Sequence, residues 1–309
     1  MLTVLFAARG ADWPVYADHL PRAIAATGVE ARVVTEADPA EVDYIVYAPN
    51  GTLRDFAPFS RAKAVLSLWA GVETIVGNPT LTMPLARMVD PALTEGMVEY
   101  VVGHVLRHHL GMDRHILGTG GKWIPEPPPI ARERRVTMLG LGELGRSCAQ
   151  ALAALNFPVT GWSRTQRTVA GITCLSGEAG LEQALSVADI LVLLLPRTPG
   201  TENLMDARRL AMLPKGAMIV NPGRGPLIDD DALLAALDAG HVGHATLDVF
   251  RTEPLPPEHP YWAHPRVTVT PHIAADTRAS SASLVIAENI RRSEAGEPLL
   301  YLVDKGAGY

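Results

Sequence analysis

The feature that most constrains the fold is a trio of glycines between an apolar run and a helix-forming run. Residues 136–145 read V-T-M-L-G-L-G-E-L-G, and the helix-forming run CAQALAAL follows at 148–155. In that strand-to-helix setting, G-x-G-x-x-G spacing is typical of a dinucleotide site. Gly140 permits the tight turn, Gly142 lets the backbone approach a pyrophosphate, and Gly145 lets helix and strand pack closely. The alternative is a glycine-rich turn that binds nothing.

The helix that begins at these glycines adds a second reason to expect a nucleotide. Its first backbone N–H groups have no acceptor within the helix, and such groups suit phosphate oxygens. We therefore predict that the turn holds a dinucleotide through Gly140, Gly142, Glu143, Leu144 and Gly145.

Beyond the glycines, short apolar strands alternate with helical segments in a regular order. Strands are predicted at 158–162, 189–195, 217–221, 245–248 and 267–270, and helices at 181–186, 207–212 and 230–239. This alternation predicts a doubly wound parallel sheet of the Rossmann type.

The first part of the chain shows the same alternation on a smaller scale. Strands are predicted at 2–7, 31–34, 44–48 and 64–68, with helices at 17–27 and, near the C-terminus, 278–292. A chain of 309 residues fits two domains of ordinary size. The expected fold class is therefore α/β with two domains: the Rossmann-type sheet and a smaller flavodoxin-like α/β domain.

Composition excludes several functional classes. The net charge of −6 and the pI near 5.9 make nucleic acid a poor partner. The N-terminus lacks a signal-peptide pattern, and no run approaches the ~20 apolar residues that cross a bilayer. The two cysteines, Cys148 in the predicted helix and Cys174 in a predicted loop, suggest reduced thiols. We therefore expect a cytoplasmic protein that binds neither nucleic acid nor membrane.

Two segments lie before the glycines. Residues 94–110 are predicted to be a helix, on which His104 and His108 are four apart and could clamp a metal. No carboxylate or cysteine supports that pair, so we expect no metal site. Residues 122–134, KWIPEPPPIARER, read as a proline-stiffened connector that cannot be helical.

The end of the second Rossmann strand indicates which dinucleotide is bound. An acid about 20 residues past the glycines would select NAD, but here the strand ends in Ser163-Arg164-Thr165, with Arg167 two residues further on. Hydroxyl and guanidinium groups bind a 2′-phosphate by charge-assisted hydrogen bonds, whereas a carboxylate repels it. The sequence therefore predicts NADPH (NADP). The alternative is that Arg164 is a solvated loop charge.

Three polar residues follow neighbouring strands of the same sheet. Arg224 follows the strand ending at Asn221, Glu253 follows the strand ending at Asp248, and His272 follows the last strand. Because parallel strand ends share one crevice, we expect all three to face the nicotinamide. A guanidinium captures a carboxylate, an imidazole passes a proton near neutral pH, and a neighbouring carboxylate raises the pKa of that imidazole.

That set suits the reduction of a 2-oxo acid. His272 would protonate the carbonyl oxygen, Arg224 would hold the substrate carboxylate, and Glu253 would keep the histidine protonated. Each residue taken alone could instead be a surface charge. His241 and His244 flank a turn before a strand, and we expect them to be structural.

Several longer motifs make the chain resemble the D-isomer-specific 2-hydroxyacid dehydrogenases, and within them the glyoxylate/hydroxypyruvate reductase A branch. The resemblance covers nearly the whole chain. The motifs are GLGELG, GWSRT, LLLPRTPGT, NPGRG, DDDALLAALDAGHVGHATLDVF, EPLPPEHPYWAHPRVTVTPHIAA and a tail ending in GY.

The resemblance implies a domain plan and an assembly. A substrate domain would comprise residues 1–92 and 276–309, and a dinucleotide-binding domain residues 93–275. A homodimer would form mainly through the dinucleotide-binding domain. The helix at 94–110 would then be dimer surface, which would also account for its histidines.

The resemblance also implies roles for individual residues. It supports the roles of Arg224, Glu253 and His272 reasoned above, with Arg224 and His272 contacting substrate as well. Backbone contacts to the substrate carboxylate would come from the loop Trp69-Ala70-Gly71. Further cofactor contacts are expected from Leu195, Pro196, Pro222, Gly223 and Asp248, the last near the nicotinamide carboxamide.

The residues predict an NADPH-dependent 2-oxo acid reductase, and the resemblance implies that it reduces small acids, glyoxylate and hydroxypyruvate, to D-2-hydroxy acids. The bulk of Trp69 would narrow the pocket toward such short acids. Two alternatives remain open at this point: a dinucleotide-sensing binding protein similar to a corepressor, and an NAD-dependent 2-hydroxyacid dehydrogenase that works in the oxidative direction.

Overall fold

The computed structural model describes residues 1–306. The chain divides into two compact units, Met1–Leu93 with Asp276–Tyr309 and Thr94–Ala275. The Gly-Tyr pair that ends the sequence lies outside the described residues.

Twelve strands and nine α-helices occur in the described part of the chain. The strands are β1 Leu2–Ala7, β2 Ala31–Val34, β3 Tyr44–Tyr47, β4 Ala64–Ser67, β5 Leu85–Ala86, β6 Val136–Leu139, β7 Val159–Ser163, β8 Thr173–Ser176, β9 Ile190–Leu193, β10 Ala217–Asn221, β11 Val242–Leu247 and β12 Val267–Val269. The helices are α1 Trp13–Tyr16, α2 His19–Ala26, α3 Pro91–His109, α4 Met112–Ile116, α5 Glu143–Ala154, α6 Gly177–Ser186, α7 Ala207–Ala211, α8 Asp230–Asp238 and α9 Ala279–Glu294.

The first unit is built on a five-stranded parallel sheet in the order β2-β1-β3-β4-β5. This is the flavodoxin-like strand order, and it confirms the predicted second parallel α/β domain. Both β3 and β4 are buried along their whole length, as expected for parallel strands covered on both faces. Helix α9 completes one core of this unit, where Ile286 and Ile290 join Leu20 of α2 and Val4 of β1.

The second unit is built on a seven-stranded parallel sheet in the order β12-β11-β10-β9-β6-β7-β8. Read from β8, it is the doubly wound order 3-2-1-4-5-6 with one more strand, which confirms the predicted Rossmann-type sheet. Successive strand residues point to opposite faces, so Leu191 and Leu193 enter one core while Ile190 and Val192 enter another. Helices α6, α7 and α8 contribute to the first of these cores, and α3 and α5 to the second.

Some local predictions were incomplete or wrong. Cys174, expected in a loop, lies on the edge strand β8, whose four residues are all at least partly exposed and so lack the apolar run of a buried strand. The two-residue strand β5 and the short helices α1 and α4 were not predicted. The connector is not α-helical at 122–134, but a 3₁₀ turn occupies Ala131–Glu133.

Helix α3 begins at Pro91, three residues earlier than predicted, because Asp90 accepts hydrogen bonds from the amides of Ala92 and Leu93. Two of its three histidines do not fit the expectation that they belong to a dimer surface. His108 and His109 are buried within the second unit, where His108 Nε2 lies 3.0 Å from Thr246 Oγ1 and the His109 ring meets that of Phe157.

His244, expected to be structural, packs its ring at a tilt against that of His108, and its Nε2 lies 2.8 Å from Thr268 Oγ1. His241 Nε2 lies 3.1 Å from the carbonyl oxygen of Leu210. Within residues 1–306, no helix is both long enough and apolar enough to cross a membrane, and no cluster of three potential metal ligands occurs.

Candidate active site

The glycine turn between β6 and α5 is shaped by steric demands that differ at each glycine. Gly140 has φ +108°, and a Cβ there would lie 2.4 Å from the carbonyl oxygen of Leu194. A Cβ at Gly145 would lie 1.9 Å from the carbonyl oxygen of Gly140. Both positions therefore exclude any side chain for reasons internal to the fold.

Gly142 differs, because a Cβ there would meet nothing within 4 Å and its φ is −71°. The fold does not require glycine at this position. Gly142 is the N-cap of α5 and makes no side-chain capping bond, so the first amides of this helix, those of Glu143, Leu144 and Gly145, lie at an uncapped N-terminus. An open face beside such a terminus fits the close approach of a pyrophosphate.

The loop after β7 carries the residues expected at the adenosine end of a dinucleotide. Arg164 and Thr165 are exposed. Ser163 Oγ donates to the carbonyl oxygen of Thr165 at 2.8 Å, a local hydrogen bond within the loop. Gln166 braces the loop against β8, because its amide nitrogen donates to the carbonyl oxygen of Cys174 and its amide oxygen accepts from Ser176.

The turn after β10 places Arg224. The side chain of Asn221 accepts from the amide of Gly223 at 3.2 Å and donates to the carbonyl oxygen of Arg224 at 2.9 Å. A Cβ at Gly223 would lie 2.7 Å from the carbonyl oxygen of Leu193, and one at Gly225 would lie 2.1 Å from Phe250. The backbone on both sides of Arg224 is therefore packed too closely for side chains.

His272 and Glu253 form an ion pair in the second unit. His272 Nδ1 lies 2.7 Å from Glu253 Oε2, and the other carboxylate oxygen of Glu253 accepts from the amide of Phe250 at 2.9 Å. The His272 side chain stays 52% exposed. Because Nδ1 faces the carboxylate, Nε2 is the nitrogen left to exchange a proton with another molecule.

The electrostatics of this pair favour a charged imidazole. The hydrogen bond to Glu253 raises the pKa of His272 above its ordinary value, although burial and the nearby Arg224 guanidinium oppose this. Burial alone would raise the pKa of Glu253, but the hydrogen bonds from His272 and Phe250, together with the positive charge of Arg224, hold it below its usual range. Arg224 is thus close enough to influence both members of the pair.

Asp248 lies buried beneath the His272 turn. Its Oδ1 accepts from Thr270 Oγ1 at 2.6 Å and from the amide of Ile273 at 2.9 Å, and its Oδ2 accepts from the amide of Ala274 at 2.9 Å. Of the two carboxylate oxygens, Oδ1 therefore accepts two of these hydrogen bonds and Oδ2 accepts one.

The remaining candidate cofactor residues lie in loops that follow strands of the same sheet. Leu195 is buried and Pro196 partly buried after β9, where the carbonyl oxygen of Pro196 accepts from Thr201 Oγ1 at 2.7 Å. Pro222 is buried in the Arg224 turn.

The loop Trp69-Ala70-Gly71 follows β4 in the first unit. The amide of Trp69 already donates to Ser67 Oγ at 3.0 Å, and that hydroxyl donates back to the carbonyl oxygen of Trp69 at the same distance. The Trp69 amide, expected to bind the substrate carboxylate, therefore already has an acceptor within the protein. Trp69 as a whole residue is 44% exposed.

Sequence reasoning missed several residues that shape these loops. Ser67 and Thr270 are small polar residues at strand ends, Gln166 lies in the loop after β7, and Tyr100 lies on α3, far from any motif. A hydroxyl at the end of a parallel strand was the available signal for Ser67 and Thr270, but it does not reveal the bonding partner.

Comparison with known proteins identifies a family that matches this chain. Residues 102–274 match the family model described as D-isomer specific 2-hydroxyacid dehydrogenase, NAD binding domain. The chain is 40% identical to a D-isomer specific 2-hydroxyacid dehydrogenase from Xanthobacter autotrophicus Py2 solved with NADPH and MES, with a TM-score of 0.90. That alignment covers 100% of this chain and 99% of the other.

Two further solved structures are similar over 100% of both chains. One is an NADPH-dependent glyoxylate/hydroxypyruvate reductase from Sinorhizobium meliloti in complex with NADP and sulfate, at 34% identity and a TM-score of 0.87. The other is a probable 2-hydroxyacid dehydrogenase from Rhizobium etli CFN 42 in complex with NADP, HEPES and L(+)-tartaric acid, at 30% identity and a TM-score of 0.88.

The doubly wound sheet, the glycine turn and the similarity along the whole chain lead to one conclusion: this protein belongs to the D-isomer specific 2-hydroxyacid dehydrogenase family.

Proposed function

We propose that this protein reduces small 2-oxo acids, glyoxylate and hydroxypyruvate, to D-2-hydroxy acids with NADPH. The observation that carries the proposal is the 2.7 Å contact between His272 Nδ1 and Glu253 Oε2, with Arg224 close enough to act on both charges. A proton donor, its acidic neighbour and a cation for a carboxylate are what reduction of a 2-oxo acid requires.

NADPH, when bound, supplies the hydride that reduces the 2-oxo carbon. His272 donates its Nε2 proton to the carbonyl oxygen and is reprotonated from solvent. Glu253 stabilises the imidazolium before that transfer and holds Nδ1–H, so that Nε2 faces the substrate. Arg224 binds the substrate carboxylate and polarises the carbonyl.

The cofactor is held by the glycine turn and the loop after β7. Gly140, Gly142, Glu143, Leu144 and Gly145 bind the pyrophosphate, and Ser163, Arg164 and Thr165 bind the 2′-phosphate. At the nicotinamide end the contacts come from Leu195, Pro196, Pro222, Gly223 and Asp248. The preference for NADPH is supported by the exposed Arg164 and by the NADP and NADPH complexes of the similar proteins.

The substrate class is supported by the Sinorhizobium meliloti reductase, which is 34% identical. We propose that Ala70 and Gly71 bind the substrate carboxylate through their amides. The exposed indole of Trp69 narrows the site, so that short acids are favoured over long ones.

The test is oxidation of NADPH, followed by absorbance, with glyoxylate, hydroxypyruvate, pyruvate and phenylpyruvate. We expect the highest kcat/KM for glyoxylate and hydroxypyruvate, and His272→Ala to abolish turnover while NADPH binding persists. Binding of NADPH without turnover of any of these acids would favour a dinucleotide-sensing protein. Efficient reduction of NAD⁺ with 2-hydroxy acids would favour an oxidative dehydrogenase.

We also propose a homodimer formed through the second unit, with a second copy of this chain as the partner. The support is an exposed apolar surface on α4 and the connector, where Ile116 is 72%, Leu117 82% and Trp123 93% exposed. Exposed apolar surface of this kind is typical of interfaces. Leu117→Asp should shift the mass measured by light scattering toward the monomer, whereas Leu284→Asp, at an exposed leucine of the first unit, should leave it unchanged.

A further inference from the structure

A chain of hydrogen bonds runs from helix α3 to the turn that carries His272. Thr270 Oγ1 donates to Asp248 Oδ1 at 2.6 Å, and the Tyr100 hydroxyl lies 2.7 Å from Thr270 Oγ1. The threonine hydroxyl has one proton, and that proton already makes the hydrogen bond to the carboxylate. In the bond between Tyr100 and Thr270, Tyr100 must therefore be the donor. The Tyr100–Thr270–Asp248 chain therefore has a single direction.

Asp248 connects this chain to the backbone around His272. Besides the Thr270 hydroxyl, its carboxylate accepts from the amides of Ile273 and Ala274, and its carbonyl oxygen accepts from the amide of His272 at 2.8 Å. Three successive amides of the turn thus bond to one residue. Hydrogen bonds to a carboxylate are stronger than those between neutral groups.

The turn needs such support because His272 has φ +54°, in the left-handed region that residues other than glycine seldom adopt. A residue keeps this conformation when its surroundings impose it. The same conformation directs the imidazole toward Glu253, so the turn and the His272–Glu253 contact depend on one another.

We propose that Thr270 and Tyr100 are positioning residues, which lock the Asp248 carboxylate and thereby hold the His272 turn so that the imidazole meets Glu253. The proposal rests on the proposed role of His272 as proton donor. Both residues act on His272 through Asp248, because Thr270 bonds to Asp248 and Tyr100 bonds to Thr270.

The charged groups that face His272 determine what loosening the turn would do. Glu253 raises the pKa of His272 through its hydrogen bond and its charge. Asp248 raises it as well, whereas Arg224 lowers it. Burial raises the pKa of Tyr100 above its ordinary value, so the phenol stays neutral and adds no charge near His272. A turn that drifts away from Glu253 loses the largest stabilisation of the imidazolium, and the pKa of His272 falls.

The first experiment measures the pKa of His272 by NMR titration of the full-length protein without cofactor, with the resonance assigned by its loss in His272→Gln. Thr270→Val keeps the side-chain shape but removes the hydroxyl, Tyr100→Phe removes only the first donor, and Thr270→Ser keeps a hydroxyl. Thr268→Val is the matched control, because Thr268 lies on β12 and contacts Arg107 and His244 instead of Asp248.

We expect the pKa of His272 to fall in Thr270→Val, to fall less in Tyr100→Phe, and to stay at the wild-type value in Thr270→Ser and Thr268→Val. An unchanged pKa in a folded Thr270→Val variant would overturn the proposal, and so would an equal shift in Thr268→Val. If Thr270→Val fails to fold, Tyr100→Phe carries the same test, and an unchanged pKa there would overturn it.

The second experiment is kinetic. In Thr270→Val we expect kcat for 2-oxo acid reduction to fall by up to about a hundredfold, the loss that a misplacement of about 1 Å can cause. The KM for NADPH should stay near the wild-type value, and the alkaline limb of the pH profile should move to lower pH. A merely structural effect would lower activity without moving that limb. A wild-type protein inactive toward all 2-oxo acids would refute the proposed function, while the NMR titration would still judge the positioning of His272.

Discussion

At the scale of single residues, the candidate chemistry depends on how His272 and Glu253 meet. They are separated by 19 positions in the chain, and each follows a different strand of the second sheet. The sequence could predict the two residue types and their strand ends, because parallel strands share one edge for their carboxyl ends. It could not predict that Glu253 would also bond to the Phe250 amide, which fixes the carboxylate in place.

Replacing Glu253 tests the electrostatic part of this arrangement. In Glu253→Gln, His272 loses the hydrogen bond and the charge that raise its pKa, so the imidazole deprotonates at lower pH than in the wild type. Since reduction needs the imidazolium, the variant should lose activity at a lower pH than the wild type does when the pH is raised. The alkaline limb of kcat/KM against pH measures this, and an unmoved limb would contradict the proposed role.

A second prediction at this scale concerns the exposed Arg164 after β7. Arg164→Ala removes a guanidinium that suits a 2′-phosphate and has no partner group on NADH. We expect the KM for NADPH to rise by about tenfold or more, corresponding to a charged hydrogen bond of roughly 1.5 to 3 kcal/mol, with little change for NADH. Steady-state kinetics with both cofactors tests this, and equal effects would argue against the assignment.

At the scale of elements, the turn between β6 and α5 shows how one motif serves two purposes. Gly140 and Gly145 are required by the packing of strand against helix, whereas Gly142 borders open space. The motif predicted all three positions, because the spacing itself encodes the turn. Only coordinates could show which glycine the protein needs for folding and which leaves room for a ligand.

A matched pair of substitutions separates these purposes. Gly145→Ala forces a Cβ to within 1.9 Å of the Gly140 carbonyl oxygen, so we expect a loss of roughly 3 kcal/mol in unfolding free energy. Gly142→Ala should lose at most about 1 kcal/mol, because alanine is a poorer N-cap than glycine, but it should weaken NADPH binding. Urea denaturation and fluorescence titration measure the two effects, and a Gly142→Ala variant as destabilised as Gly145→Ala would contradict this division.

Helix α3 makes a further prediction, because it buries His108 against β11. Burial lowers the pKa of His108 to about 3, below the ordinary value of 6.5. Between those values the unfolded state binds the additional proton, so the unfolding free energy falls as pH falls, by up to about 1.4 kcal/mol per pH unit. His244, whose pKa burial lowers to about 4, adds to the same loss.

In His108→Asn, we expect a shallower loss of stability between pH 6.5 and pH 4 than in the wild type. The exposed His115 on α4 provides the control, since His115→Asn should leave the slope unchanged. Urea denaturation across this range is the measurement. Identical slopes for wild type and His108→Asn would show that His108 is protonated in the folded state.

At the scale of the whole molecule, the chain makes two units from three segments. It leaves the first unit after Leu93 and returns to it at Asp276, so that α9 completes a core begun by β1 and α2. The short strands and helices of the N-terminal part predicted an α/β domain. Their pattern alone could not predict that a helix almost 200 residues later would cover it.

Truncating a residue of α9 tests whether the two units are separate cooperative bodies. Ile286 is buried in the first unit, and Ile286→Ala should cost about 2–5 kcal/mol. We expect faster amide hydrogen exchange in β1–β5 while β6–β12 keep wild-type protection. Exchange measured by mass spectrometry tests this, and faster exchange throughout both sheets would mean that the units unfold together.

The sequence by itself determined the two parallel sheets, the glycine turn and the identity of the residues at the strand ends. It could do so because these features are local: apolar runs, helix signals and glycine spacing act over a few residues. It did not reveal the edge strand β8, whose exposed residues carry no apolar run, nor the inward-facing histidines of α3.

Only the tertiary structure decided which groups bond to which. The contacts of Asp248 with Thr270, of Tyr100 with Thr270 and of His272 with Glu253 join residues 22, 170 and 19 positions apart. Such pairings depend on the register of strands and the packing of a helix, which fix side-chain positions to within an ångström. No local pattern carries that information, because hydrogen bonds between distant residues form only where folding brings both partners to one place.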